Sequence, residues 1–262
     1  MTTDYAASLE AWKALRLANL KAPNGWLNII GRTWLSPGTV TVGSDPDSGI
    51  VLSAGPATLG TLTQHENGEV DFVPADGSPG HHLVPNKKHP PHFLLHGLHV
   101  EVTSINGDNA LRVRDTNSRA PDELEPLRYF PTDPSWRIEA KWVPFASRLT
   151  VGTTKDIDTE VEVTHKAVFE KDGKTWELIA THGTPEAPQF VIRDLTSRDE
   201  TYPASRFLYG ETVTDSTIVL DFNKAINPPC AFTEYAVCPL PPPQNILPIR
   251  IEAGEKRLSV LH

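Results

Sequence analysis

Thr159–Gly183 reads TEVEVTHKAVFEKDGKTWELIATHG, and this stretch decides the fold. Its two halves, VTHKAVFE and TWELIATHG, are rich in β-branched and aromatic residues, and Lys171–Lys174 (KDGK) separates them. Asp-Gly between two such runs is a hairpin signal, because the favoured two-residue turn needs positive φ at both positions. Just upstream, Trp136–Phe145 (WRIEAKWVPF) alternates. Trp136, Ile138, Ala140 and Trp142 share one face, and Arg137, Glu139 and Lys141 share the other. Downstream, Phe190–Glu211 and Ser216–Pro229 continue as short apolar runs with no helical pattern between them. That order predicts a meander of antiparallel strands over 127–262, as a sheet or barrel, and not a parallel α/β sheet.

The stretch Asp221–Glu255, DFNKAINPPCAFTEYAVCPLPPPQNILPIRIEAGE, breaks this pattern. It holds both cysteines and seven of the twenty-four prolines. Proline fixes φ and removes a backbone donor, so this segment cannot be a long helix or a central strand. It is expected to lie as a stiff, irregular band closing the C-terminal sheet.

Towards the N-terminus, Tyr5, Leu9, Trp12 and Leu15 recur at helical spacing, predicting one helix over 4–21 with Asp4 or Thr3 as cap and Pro23, Asn24 and Gly25 as its stop. From 26 to 120 the period changes to short alternating segments separated by SPG, DPDSG, ENGE, ADGSPG and NGDN. Strands at this spacing predict a small β-sandwich. The expected domains are therefore the helix (1–25), the sandwich (26–120) and the C-terminal β domain (127–262), with a boundary near Asn117–Pro126.

A net charge of −9 and a pI near 5.6 argue against a nucleic-acid-binding surface. No apolar run is long enough to span a bilayer, and the first residues lack a signal-peptide layout. Two cysteines do not make a disulfide scaffold, so a reducing, cytoplasmic setting is expected. Six of the ten histidines fall between His81 and His99. Pro90 and Pro91 break any helix before His92, and no Asp, Glu or Cys stands among them, so solvated loop histidines are expected and no metal site is assigned.

The C-terminal half carries the polar groups of interest. Arg206, in SRFLYG, precedes Asp221 and Asn223, and an arginine fork facing a carboxylate suits an anionic ligand. A buried network that only pins the band to the sheet fits the same residues. Tyr202, Asn245 and Glu255 complete the expected ligand-binding set. Asp221, Cys230, Cys238 and Glu252 are the candidates for catalysis, with no reaction and no cofactor implied. Cys230 and Cys238 leave four readings open: inert thiols, a disulfide, a zinc pair or a nucleophile.

Two resemblances add to this. Val42–Leu62 (VGSDPDSGIVLSAGPATLGTL) resembles a worn forkhead-associated domain, a phosphothreonine-binding sandwich. Ser44 stands where that family has arginine, Ser48-Gly49 replaces Asn-Asp, and no Ser-x-x-His follows Leu52. The resemblance implies a fold and not the function. Arg193–Leu208 (RDLTSRDETYPASRFL), Val219–Asn245 and Ile249–Lys256 (IRIEAGEK) resemble the family filed as domain of unknown function 1684. Gly25–Ser44 and Leu127–Trp142 resemble it as well, so the likeness is expected to span nearly the whole chain. Pro203-Ala204-Ser205 stands where that family tends to carry glycines. The family implies no activity. The expected function is binding of, or action on, a small polar or anionic molecule in the C-terminal domain. The alternative is a protein-interaction or structural module built on the sandwich. Whether the chain is an enzyme, and its oligomeric state, stay open in the sequence.

Overall fold

Local sequence explains most of the elements in the computed structural model, which describes residues 3–259, Thr3 by its backbone only. Helix α1 runs Thr3–Leu20. Asp4 therefore lies in its first turn, where a carboxylate favours the helix dipole, and does not cap it; the Thr3 side chain lies outside the described residues. Leu9 is buried and Tyr5 and Trp12 are half-buried, but Leu15 is 59% exposed. At 100° per residue, about ten residues' advance from Tyr5 carries Leu15 roughly 80° off the stripe.

Two compact units divide the chain: Arg16–Leu124, and Glu125–His262 together with Met1–Leu15. The unit of Arg16–Leu124 holds β1 (Ile29–Trp34), β2 (Gly38–Gly43), β3 (Ile50–Val51), β4 (Gly60–Gln64) and β5 (Val70–Pro74). It continues with β6 (His81–Leu83), β7 (His92–Leu95), β8 (Leu98–Ile105) and β9 (Asp108–Asp115). One sheet has the order β1-β9-β8-β7 and the other β3-β2-β4-β5-β6, antiparallel except for the short β2–β3 pair. Val42, Leu62, Val70 and Phe72 from one sheet share a core with Phe93, Val100, Val102 and Val113 from the other. Buried Asn109 donates to Gln64 across them at 3.2 Å and to the Gly68 carbonyl at 2.8 Å. The Asn106-Gly107 turn has positive φ at both residues, as the hairpin requires.

The C-terminal unit holds β10 (Arg137–Val151), β11 (Thr159–Lys171), β12 (Lys174–Ile179), β13 (His182–Thr184), β14 (Ala187–Ile192), β15 (Arg206–Glu211) and β16 (Thr217–Asp221). Their order is β12-β11-β10-β16-β15-β14-β13, all antiparallel. The Asp172-Gly173 turn has positive φ at both residues, as read from KDGK. Trp136, Ala140 and Trp142 are buried, whereas Arg137, Glu139 and Lys141 are exposed, the alternation the sequence predicts.

The seven-stranded sheet does not close into a barrel. Asn245, fully buried in the Pro-rich band, instead bridges β12 and β14. It accepts from Ile179 N at 2.8 Å and donates to the Ile179 and Val191 carbonyls at 2.9 Å each. A side-chain amide thus does what a strand would do between two ladders. The band is made of 3-10 turns at Phe222–Lys224, Pro229–Ala231 and Pro243–Asn245, joined by isolated bridges such as Thr153–Pro239 and Phe207–Ile226. No helix among the described residues is long and apolar enough to cross a membrane.

Candidate functional site

Arg206 opens β15 opposite Ile192 of β14, and Asp194 lies two residues beyond Ile192. That register brings the two charges together: Nη2 of Arg206 is 2.7 Å from Asp194 Oδ2. The same guanidinium donates to the Ala253 carbonyl at 2.5 Å and to the Ile251 carbonyl at 3.1 Å, while its Nε has no partner among the described residues. Asp194 also accepts from Thr196 N, from the Thr196 hydroxyl and from Ile251 N. Arg206 is 1% exposed and Asp194 4%. The pair fastens Ile251–Ala253 to the start of β15, and burial closes the guanidinium off from solvent.

Asp221 is not Arg206's partner, which departs from the arrangement expected from sequence. In β15, Arg206, Leu208 and Gly210 share the inner face, and Gly210 pairs with Leu220 of β16. Asp221, one residue on, therefore points to the opposite face. There both of its oxygens accept from the Tyr5 hydroxyl of α1, at 3.0 and 2.9 Å, and Asn223 N donates to Oδ1 at 3.2 Å. Asn223 Nδ2 donates to the Tyr5 oxygen and to the Asp133 carbonyl. Burial, followed by the hydrogen bond to Asp221, raises the Tyr5 hydroxyl's pKa well above the ordinary phenol value. Asp221 and Asn223 are brought together as expected, but by Tyr5.

The remaining expected residues are also occupied. Glu255, fully buried, accepts from Asn227 N at 2.7 Å and from the Tyr129 hydroxyl at 3.3 Å. Tyr202 donates its hydroxyl to the Cys230 carbonyl at 3.0 Å. Glu252 is exposed and pairs with Arg250 at 2.9 Å. The amide of Asn245 is spent on the strands. Cys230 and Cys238 are both buried and free, with Cys230 N donating to Cys238 Sγ at 3.2 Å. In the other unit the Ser44 hydroxyl is spent on the Gly55 carbonyl.

The C-terminal unit also has an open space. A cleft of about 570 Å³ is lined by Arg128, Asp199, Glu200, Lys256, Arg257, Leu258 and Ser259. Its two walls are tied by backbone hydrogen bonds, Arg257 N to the Glu200 carbonyl at 3.0 Å and Lys256 N to the Arg128 carbonyl at 2.8 Å. Arg250 forks onto Asp199 and Glu200, and Lys256 reaches Glu200 at 2.8 Å while lying 4.3 Å from the Phe130 ring centre. Arg250's hydrogen bonds hold the Asp199 carboxyl below its ordinary range. The carboxylates are therefore already countered, and Arg128 and Arg257 add positive charge to the walls.

The histidines of 81–99 do not all sit in loops: His81 and His82 are on β6, His92 on β7 and His99 on β8. Folding supplies the carboxylates that the local sequence lacks. Asp71 of β5 bonds both His65 and His82 at 2.7 Å, and Asp76 lies 3.0 Å from His96. Among the described residues no three metal-ligating side chains converge on one point.

The family match falls almost entirely on the unit that carries the Arg206 and Asp221 networks. The model of a family described as protein of unknown function (DUF1684) matches residues 122–256. The chain belongs to this family. The match spans the Arg206–Asp194 pair, the Asp221 cluster and the whole Pro-rich band, and it leaves Gly25–Ser44 outside, so it is narrower than the near-full-length likeness expected from sequence. A solution structure of an uncharacterized protein from Haloarcula marismortui is 29% identical, covering 53% of this chain and 80% of its own, with a TM-score of 0.43. No curated protein matches the chain.

Sequence reasoning missed Asp194, Tyr5 and the cations of the cleft. Asp-Leu-Thr at 194–196 was a readable signal, because Asp followed two residues later by Thr is a turn-capping pair. Tyr5 carried none, since its partner is 216 residues away.

Proposed function

We propose that the protein binds a small carboxylate or phosphate in the cleft of the C-terminal unit. One observation carries this reading: Arg128, Lys256 and Arg257 line a space of about 570 Å³ whose two carboxylates are already held by Arg250 and Lys256. The lining side chains carry three positive and two negative charges, so an incoming anion meets a net positive wall in a protein whose overall charge is −9. Arg206 serves this site from behind: it fixes the Ile251–Ala253 backbone that leads into Lys256 and Arg257. The reading is one of binding. Asp221 and Glu255 are buried and bonded internally, and no catalytic role is assigned to them.

Calorimetric titration with inorganic phosphate, malonate and succinate at low salt tests this. Binding at millimolar concentration or tighter is expected, weakening about tenfold in Arg257→Gln, as for loss of one charge-assisted hydrogen bond. Arg128→Gln is expected to weaken it similarly, and added salt to weaken it further. Absence of heat for all three anions, or wild-type affinity in both variants, refutes the proposal.

A further inference from the structure

Cys230 and Cys238 are used by none of the networks above, yet the fold holds them in one geometry. Cys230 lies in the 3-10 turn Pro229–Ala231, where Tyr202 grips its carbonyl. Cys238 is held at both backbone atoms by one residue: its N–H donates to the Thr154 hydroxyl at 3.2 Å, and its carbonyl accepts from Thr154 N at 2.9 Å. Pro239 then bridges to Thr153. Between these two anchors Cys238 Sγ accepts from Cys230 N at 3.2 Å, which sets the sulfur of one cysteine against the backbone of the other.

We propose that Cys230 and Cys238 are a redox-active dithiol, closing to a disulfide when hydrogen peroxide oxidises Cys230. The Cys230 thiolate attacks a peroxide oxygen. An S–O bond forms, the O–O bond breaks, and the departing hydroxide takes a proton to leave as water. Cys238 sulfur then attacks the Cys230 sulfenic sulfur. The S–S bond forms, the S–O bond breaks, and the second hydroxide leaves with the Cys238 proton as water. Two thiols lose two electrons and one peroxide gains them.

The local chemistry divides the roles. The hydrogen bond from Cys238 holds the Cys230 thiol below its ordinary value against the opposing effect of burial, with Tyr202 and Thr154 contributing. The same bond, together with burial, pushes Cys238 well up. Cys230, 6% exposed, is therefore the nucleophile, and Cys238, 2% exposed, is the resolving thiol.

The test treats the full chain, reduced and native, with stoichiometric hydrogen peroxide and maps the peptides by mass spectrometry. The expected product is one peptide pair joined through Cys230 and Cys238, two hydrogens lighter and restored by a thiol reductant. Closing this short loop should raise the Tm by roughly 5–10 °C. Cys238→Ser is expected to stop at a Cys230 sulfenic acid that a dimedone probe traps, and Cys230→Ser to leave Cys238 unmodified. Unaltered thiols in the native wild-type protein overturn the proposal. So does oxygen added to Cys230 without the cross-link, a result that needs no variant to fold.

Discussion

Replacing Arg206 by methionine separates a scaffold from a ligand site. Methionine keeps much of the volume but removes the charge opposite Asp194, which is 4% exposed and has no second cation among its described partners. Stranding one member of a buried pair costs about 3–5 kcal/mol. The carbonyls of Ile251 and Ala253 lose their donors in the same step. With a urea slope near 2 kcal/mol per molar, the unfolding midpoint should fall by roughly 1.5–2.5 M. Fluorescence of the buried Trp136 and Trp142 reports the transition. Asp194→Asn keeps the shape and removes the facing charge, so a double-mutant cycle isolates the pair. The double variant should cost less than the sum of the singles by at least about 2 kcal/mol. A midpoint shift worth under about 1 kcal/mol in Arg206→Met, or additive singles, refutes the assignment of Arg206 to the scaffold.

Asn245→Ala should destabilise the C-terminal unit by about 2–4 kcal/mol, because it strands buried strand groups on both sides of the gap it bridges. Hydrogen exchange should show the Ile179 amide speeding up more than its neighbours in β12. In the other unit, the hydrogen bond that His82 donates to Asp71 raises the His82 pKa above its ordinary 6.5, and His65 and then His82 lower that of Asp71. The His82 contribution is thus complete below about pH 6.5 and lost as pH rises through its folded value. The Asp71 contribution is present above the ordinary carboxylate range and lost as pH falls through its own folded value. His82→Gln should flatten the decline in stability of this unit as pH rises above about 6.5, followed by NMR titration of the histidines.

Much of the architecture was legible. The hairpin at Asp172-Gly173, the alternation of Trp136 to Trp142, the proline-interrupted band and the single N-terminal helix all rest on interactions a few residues long. The candidate site was less so. In sequence Arg206, Asp221 and Asn223 read either as an anion-binding set or as a network pinning the band, but the register of β14, β15 and β16 gives Arg206 to Asp194 and turns Asp221 towards Tyr5. A one-residue difference along a strand reverses the face, and no local pattern states which strand lies beside which. The histidines repeat the lesson: no carboxylate stands near them in the sequence, yet β5 brings Asp71 between two of them.

The sequence by itself determined that this is a mainly β protein whose Pro-rich C-terminal segment lies irregularly against a meander, because period, turn chemistry and proline act locally. Only the tertiary structure decided that Asn245 fills the gap in that meander, that the expected anion-binding arginine is a buried clasp, and that Arg128, Lys256 and Arg257 line one cleft. Those outcomes depend on strand register and on contacts across tens to hundreds of residues, which pairing sets and composition does not.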